Sequence, residues 1–350
     1  MMNYRIKDIC NVEKGKTPIK KAIPGEYPLV VTAEERLSTD EFQFDTDAVC
    51  IPLVSSTGHG DASIKRLQYQ SGKFALGNIL CAVYSKDETI VLTRFLYIYL
   101  SFYKDDLLVP LMKGTANVSL STEAIKKLEI DIPSIEEQRK IVQKFDLLED
   151  KINVLNKIRD NYINSCYKLK QMILNNFFEN KPTYKMDEIF NVCKGSLQSS
   201  KCEYGEYDFI TASSEWKKHS SYTNEEEALI YAVGAEGSLG RTHYVNGKFI
   251  ASDLCLILTA KKEVNYLLYK NYFDLNRDDM VQKLATGTSK KAINQTNFSN
   301  YIIPYADIKE QDNIYNILKE INLIEEKIEC MKDENEKLCY YATKKLLNND

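Results

Sequence analysis

The chain has 350 residues, 44% hydrophobic and 27% charged, with only 14 glycines and 8 prolines. That is enough apolar material for two ordinary domains, and it excludes a disordered, collagen-like or low-complexity protein. The net charge of -4 and the pI near 5.7 provide no global positive field of the kind that marks many nucleic-acid binders, so any DNA contact must come from basic residues gathered on one face.

Residues 1–133 carry short β-branched and aromatic runs, among them Ala48-Val49-Cys50-Ile51 and Ile79 to Tyr84, punctuated by glycine and Asn/Asp turns. This predicts a β-rich α/β module with one helix around 93–103. Residues 135–180 contain no Gly or Pro, and their apolar residues step by four and three through Ile141, Phe145, Leu148, Ile152, Leu155, Tyr162, Cys166, Leu169 and Ile173, with Arg159 as a charged interruption. That is the heptad pattern of a long helix packing on another. Residues 182–304 return to β-rich character, with runs at Ala228–Val233 and Leu254–Leu258 and a helix around 264–276. The tail from 305 again steps through Ile317, Ile321, Ile324, Ile328, Met331, Leu338 and Ala342, with polar Asn335 in the seam. Pro133 and Pro304 stand just before the two helices, where proline is tolerated.

The two halves repeat one design. Tyr4, Ile9, Val12 and Gly15 recur as Tyr184, Ile189, Val192 and Gly195, and Gly25-Glu26-Tyr27 recurs as Gly205-Glu206-Tyr207. Thr32-Ala33 returns as Thr211-Ala212, Gly72-Lys73-Phe74 as Gly247-Lys248-Phe249, and Lys113-Gly114-Thr115 is echoed by Thr286-Gly287-Thr288. Ile132-Pro133 followed by Glu137-Gln138 matches Ile303-Pro304 followed by Glu310-Gln311. The fold expected is therefore duplicated mixed α/β modules joined by two long antiparallel coiled-coil helices. Its boundaries are 1–133, 134–181, 182–304 and 305–350.

The sequence carries little recognisable catalytic chemistry. There is no GxxxxGK[ST] loop, Gly234 to Gly240 does not fit the dinucleotide fingerprint, and His59, His219 and His243 have no HxxxH partner. No GxSxG elbow and no Asn/Asp-Pro-Pro-aromatic tetrapeptide appears. Nine cysteines (Cys10, Cys50, Cys81, Cys166, Cys193, Cys202, Cys255, Cys330, Cys339) are an odd number without a CxxC pair, which predicts reduced, mostly packing thiols and no metal site. No apolar run approaches the ~20 residues of a membrane span, and the start lacks signal-peptide order. The expectation is a soluble cytoplasmic binder.

Gly15-Lys16-Thr17-Pro18, Gly72-Lys73-Phe74, Lys113-Gly114-Thr115, Ile132-Pro133 and Glu136-Glu137-Gln138-Arg139-Lys140-Ile141-Val142, with a second set at Gly195, Gly247-Lys248-Phe249, Thr286-Gly287-Thr288, Ile303-Pro304 and Glu310-Gln311 that departs at Asp312-Asn313-Ile314 and carries Lys290 where the first has Asn117, resemble the specificity (S) subunit of type I restriction-modification enzymes over essentially the whole chain. The resemblance implies two target recognition domains, each reading one half of a split asymmetric site in double-stranded DNA. The helices would set the spacing and dock two methyltransferase subunits, with restriction subunits joining the larger assembly. It also implies no catalysis and no cofactor in this chain, with S-adenosylmethionine, ATP and Mg²⁺ belonging to partners, and no membrane association. A continuous helix over 135–180 would be roughly 70 Å long, a ceiling of about 20 base pairs on the spacer.

Readers of DNA combine phosphate anchors with Arg or Lys toward guanine and Asn or Gln toward adenine. The candidates are Thr288, Ser289, Lys290 and Lys291 in a small-residue turn, with Lys113, Thr115 and Asn117 as its counterpart. The loop of Lys14, Lys16, Lys20 and Lys21 pairs with Lys194, Gln198 and Lys201. His59 and Arg241 belong to turns that follow predicted strands, and Lys217 stands beside Trp216. Solubilising lysines and plain hairpin turns are the competing reading of each. By region the charge is -1 over 1–133, +2 over 134–181, -1 over 182–304 and -4 over 305–350, so the isolated chain is expected to bind DNA weakly and in a salt-sensitive way. The competing reading of the whole is a duplicated coiled-coil adaptor that binds proteins.

Overall fold

The computed structural model describes residues 2–57, 60–115, 117–198, 200, 204–235, 237–287 and 291–348. The chain divides into two units, Met1–Lys157 with Lys332–Asp350, and Ile158–Met331. Each unit takes one β-rich module and part of each long helix, Ile135–Phe178 and Ile308–Asn348.

In the first unit, Cys10–Lys14, Leu80–Ser85, Ala48–Pro52 and Gln68–Gln70 form an antiparallel sheet in that order. A second sheet runs Leu37–Thr39, Tyr27–Val30, Lys73–Leu76, Phe44–Asp45, with its middle pair parallel. The central strand Ala48–Pro52 is buried on both faces, so it reads as a continuous apolar run. Val49 and Ile51 face Phe95, Leu96 and Leu100 of the helix Thr93–Phe102, whereas Ala48 and Cys50 face Phe44, Phe74 and Leu76. The period of two thus divides one strand between two cores.

The second unit repeats this division. Leu229 and Tyr231 face Tyr269 and Phe273 of the helix Tyr266–Leu275, while Ala228, Ile230 and Ala232 face Ile210, Val245 and Phe249. Here the strands Asn224–Ala232 and Thr242–Ala251 run unbroken, giving one six-stranded sheet in the order Phe190–Lys194, Cys255–Ala260, Asn224–Ala232, Thr242–Ala251, Tyr207–Ile210, Lys217–His219. In the first unit the same path is interrupted at Thr46-Asp47 and at Ser71-Gly72, where Gly72 has φ 73°. In each unit a two-stranded ribbon brings the start of the module to the foot of a long helix: Met2–Arg5 on Glu129–Ile132, and Thr183–Lys185 on Ile302–Pro304.

The long helices pair antiparallel within each unit. Asn335 Nδ2 donates to Asn156 Oδ1 at 3.5 Å in the first. In the second, Lys170, a buried residue, donates through its ammonium to Asn322 Oδ1 at 3.1 Å and pairs with Glu325. The seam predicted from the sequence is correct at Ile141, Phe145, Leu148, Ile152, Arg159, Cys166, Ile173, Ile321, Ile328, Asn335 and Ala342, wrong by one residue at Leu155, Tyr162, Leu169, Ile317, Ile324 and Leu338, and off the seam at Met331. Leu155, Tyr162, Leu169, Ile317, Ile324, Met331 and Leu338 turn outward, and Asn156, Ile163, Lys170, Leu318, Glu325 and Cys339 stand in or beside the seam instead. An apolar count favours the wrong positions because several inward ones are polar and satisfied by each other.

Two sequence landmarks are also out of step with the fold. The strands Tyr27–Val30 and Tyr207–Ile210 make Val31 equivalent to Thr211, one residue off the Thr-Ala match. Pro304 lies within its strand, and the residue that does the work of Pro133 is Ala306. Of the described cysteines, Cys10, Cys50, Cys81 and Cys255 are buried, and desolvation pushes the thiols of Cys10, Cys50 and Cys255 up to about 12. Cys193 and Cys330 are exposed rather than packed.

Candidate nucleic-acid interface

Strand pairing gathers the loops of each unit at one end of its sheets. Lys14 pairs with Cys81, Pro52 with Leu80, Cys50 with Gln68, and Val30 with Leu76. The segments 14–21, 31–36, 53–67 and 77–79 therefore emerge together. Segment 113–119 joins them through Ser55 N–H to Val118 O at 3.0 Å and Leu120 N–H to Leu53 O at 2.9 Å. In the second unit Lys194 pairs with Leu256, Ala232 with Cys255 and Ile210 with Ala251, and Ile293 N–H donates to Val233 O at 2.9 Å. The same set of loops is brought together there.

The glycine opening each basic loop serves a close crossing of backbones. A Cβ on Gly15 would lie 2.2 Å from Gly77 O, and one on Gly195 2.1 Å from Ser252 O. Beyond Gly15, the Gln43 side chain accepts from Lys16 N–H and donates to Lys14 O, both at 2.9 Å, fixing the loop from which Lys14, Lys16, Lys20 and Lys21 project, all exposed. Lys194 and Gln198 are exposed at the equivalent place, and Lys201 lies outside the described residues.

Lys113 and Ser119 exchange backbone bonds at 2.8 and 2.9 Å, and Lys113, Thr115 and Asn117 are exposed. In the loop 53–67, Ser55 Oγ donates to Asp61 O and accepts from Thr57 and Ser63 N–H, and His59 lies outside the described residues. In the second unit a cleft of about 450 Å³ is lined by Lys194, Gly234, Leu254, Thr286, Asn294 and Gln295, so three loops singled out separately in the sequence share one site. Gln295 Nε2 donates to Val192 O at 2.9 Å across it. Lys291 is exposed nearby in sequence, and Thr288, Ser289 and Lys290 lie outside the described residues.

Arg241 ends the turn that follows the strand Asn224–Ala232. It stands at the foot of its hairpin, half-buried, donating to Ala212 O at 2.8 Å and Ser238 Oγ at 3.1 Å. Lys217 is exposed on the edge strand Lys217–His219. Trp216, 39% exposed, donates from Nε1 to His243 Nδ1 at 3.2 Å, and His243 Nε2 bonds Ser213 O at 2.9 Å. Burial holds this imidazole below the usual histidine range, as suits a ring that must keep one nitrogen as an acceptor.

Sequence reasoning missed Arg36, Arg66, Gln68 and Gln70 on the equivalent rim of the first unit. Arg66 occupies the place of Arg241 and pairs with Glu34 at 2.5 Å. Arg36 donates from Nε to Gln70 Oε1 at 3.0 Å, from Nη1 to Gln68 Oε1 and to Glu34 O at 3.2 Å, and from Nη2 to Tyr69 O at 3.3 Å. No sequence signal marked these residues: Gln68 falls at the position His243 takes in the second unit, an equivalence that strand pairing alone reveals. Among the described residues no cluster of three or more His, Cys, Asp or Glu is arranged to hold a metal ion, and no described helix is long and apolar enough to cross a membrane.

Comparison with known proteins adds to this. Residues 1–164 and 179–339 each match the family described as "Type I restriction modification DNA specificity domain". A Mycoplasma pneumoniae protein that carries the name of a type I specificity subunit is 22% identical over 335 residues, covering 89% of this chain and 86% of its own. Among solved structures, one from work on complex assembly and conformational transition of the type I R-M system aligns with 99% of this chain and 97% of its own, at 14% identity and a TM-score of 0.63. The S subunit from M. genitalium aligns over 99% of this chain and 95% of its own at 16% identity, with a TM-score of 0.48.

Proposed function

The chain belongs to the type I restriction-modification DNA specificity family, and from that premise we propose that its two modules, 1–133 and 182–304, are target recognition domains, each reading one half of a split asymmetric site in double-stranded DNA. The observation that carries this reading is the repeated rim: in each unit the same loops, bearing exposed lysines, open at one end of the sheets. Lysines provide sequence-independent attraction to phosphate, and the polar side chains between them provide the means to discriminate base edges.

The long helices set the spacing and dock methyltransferase subunits. The outward residues Leu155, Tyr162, Leu169, Ile317, Ile324 and Met331, each at least 37% exposed, support this, because a helix pair that needed only itself would have no use for a second apolar row. Methyl transfer and cleavage then reside in methyltransferase and restriction subunits, which bring S-adenosylmethionine, ATP and Mg²⁺.

The test is to co-express the chain with its methyltransferase partner and map methylated adenines across a genome by single-molecule sequencing. The expected result is a two-part motif with a fixed spacer, changed on one side only when residues 1–133 are exchanged for those of another such chain. Co-purification without new methylation would favour a protein-binding scaffold.

A further inference from the structure

Two units built on one plan that read different half-sites must agree where the scaffold is held and differ where bases are read. One place keeps the geometry and changes the chemistry. Arg36 and Trp216 close the loops 31–36 and 211–216, each immediately before an edge strand, Leu37–Thr39 or Lys217–His219. Each reaches to the strand beyond: Arg36 Nη1 donates to Gln68 Oε1, and Trp216 Nε1 donates to His243 Nδ1 at 3.2 Å. The acceptor then turns back to its loop. Gln68 Nε2 donates to Ala33 O at 2.9 Å, and His243 Nε2 bonds Ser213 O at 2.9 Å. Ala33 and Ser213 are themselves equivalent, since the strands that precede them, Tyr27–Val30 and Tyr207–Ile210, match residue for residue. The relay from outer side chain to inner side chain to loop carbonyl is thus the same in both units, while all four side chains differ.

We propose that Arg36 and Trp216 are specificity-determining contacts, one for each half-site, and that Gln68 and His243 are the positioning residues that hold them. The assignment deepens the split-site reading and rests on it. Both outer residues lie on the loop rim, beside Arg66 and Arg241 of the neighbouring hairpins. Their inner partners sit deeper, Gln68 being 5% exposed, and act through the residue they hold. The chemistry each presents is distinct. Arg36 commits four N–H groups within the unit and brings its remaining donor and its charge to an acceptor edge, the kind a purine offers in the major groove. Trp216 has one N–H, and His243 takes it. What remains is an apolar ring face, suited to the methyl group of thymine.

The experiment uses the full chain co-expressed with its methyltransferase partner and reads methylation genome-wide for wild type, Arg36→Ala, Trp216→Ala, the conservative Arg36→Lys and Trp216→Phe, and the inner variants Gln68→Ala and His243→Ala. Arg36→Ala is expected to relax base choice by roughly tenfold or more at one or two positions of one half-site, leaving the other half and the spacer intact. Trp216→Ala is expected to do the same in the opposite half, and each inner variant to relax the same positions as its outer partner. Either conservative variant should show a smaller relaxation at those positions, which keeps the test decisive if an alanine variant does not accumulate. An unchanged motif overturns the proposal, whether methylation is normal or uniformly lowered, because a structural role alone would move yield but not base choice. A wild-type motif that is not split overturns the reading beneath it and this proposal together.

Discussion

Gln138 and Gln311, at equivalent places near the starts of the two long helices and both fully buried, make the same three hydrogen bonds. Gln138 Oε1 accepts from Leu92 N–H at 2.9 Å, and its Nε2 donates to Ile90 O and Pro133 O at 3.0 Å. Gln311 Oε1 accepts from Asn265 N–H at 2.8 Å, and its Nε2 donates to Glu263 O at 3.3 Å and Ala306 O at 2.7 Å. The Glu-Gln landmark of the sequence is therefore a joint between module and helix. Replacing Gln138 or Gln311 by Leu strands a backbone N–H and two carbonyls. Each variant is expected to lose about 2–4 kcal/mol in denaturant unfolding, and the two losses to add because the sites share no partner.

The ion pair of Lys170 and Glu325 lies in the helix seam, with side chains 10% and 20% exposed. Breaking one side leaves a charge with little water. Lys170→Met is expected to cost about 3 kcal/mol or more, and Lys170→Met with Glu325→Leu to recover most of it. A double-mutant cycle by urea unfolding measures the coupling, and additive single losses would contradict this account.

Trp216 is the chain's single tryptophan, so its fluorescence reports on the bond to His243. Burial lowers the folded pKa of His243 below its unfolded value near ~6.5. The stabilisation it provides is therefore present above that value and is lost as pH falls through the lower, folded pKa, when Nδ1 takes a proton and ceases to accept. A fluorescence titration should show a transition with its midpoint below ~6.5, absent in His243→Ala.

DNA affinity of the isolated chain should fall steeply with salt. If Lys16 and Lys21 lie on phosphate, Lys16→Ala and Lys21→Ala each reduce the slope of log K against log salt by about one. Lys218, bonded to Asp208 at 2.7 Å, is the control, and Lys218→Ala should leave the slope unchanged. Fluorescence anisotropy over a salt series measures all three.

Duplication, module type and long helices were legible in the sequence because each leaves a local trace: the continuous apolar run Ala48–Pro52, heptads after Ile135, repeated glycines at close crossings. The exact seam was not. Lys170 and Glu325 are inward because they satisfy each other across a turn of chain that no local pattern spans. The rim contacts of Arg36, Gln68 and His243 were hidden for the same reason, with an added one. Comparing the two copies finds what they share, whereas these positions matter where the copies differ.

The joint at Gln138 has one more consequence. The plug is a side chain carried by the helix, but the socket in the module is backbone alone: the N–H of Leu92 and the carbonyl of Ile90, and in the second unit those of Asn265 and Glu263. Almost any amino acid can supply such groups. The glutamine joint itself therefore survives exchange of the module's surface side chains, while the contacts that flank it, Arg94 with Asp146 and Glu149 and Asn265 with Asp312, bind particular module residues to the helix. The fold thus separates the part of the molecule free to acquire new preferences from the part that must stay constant.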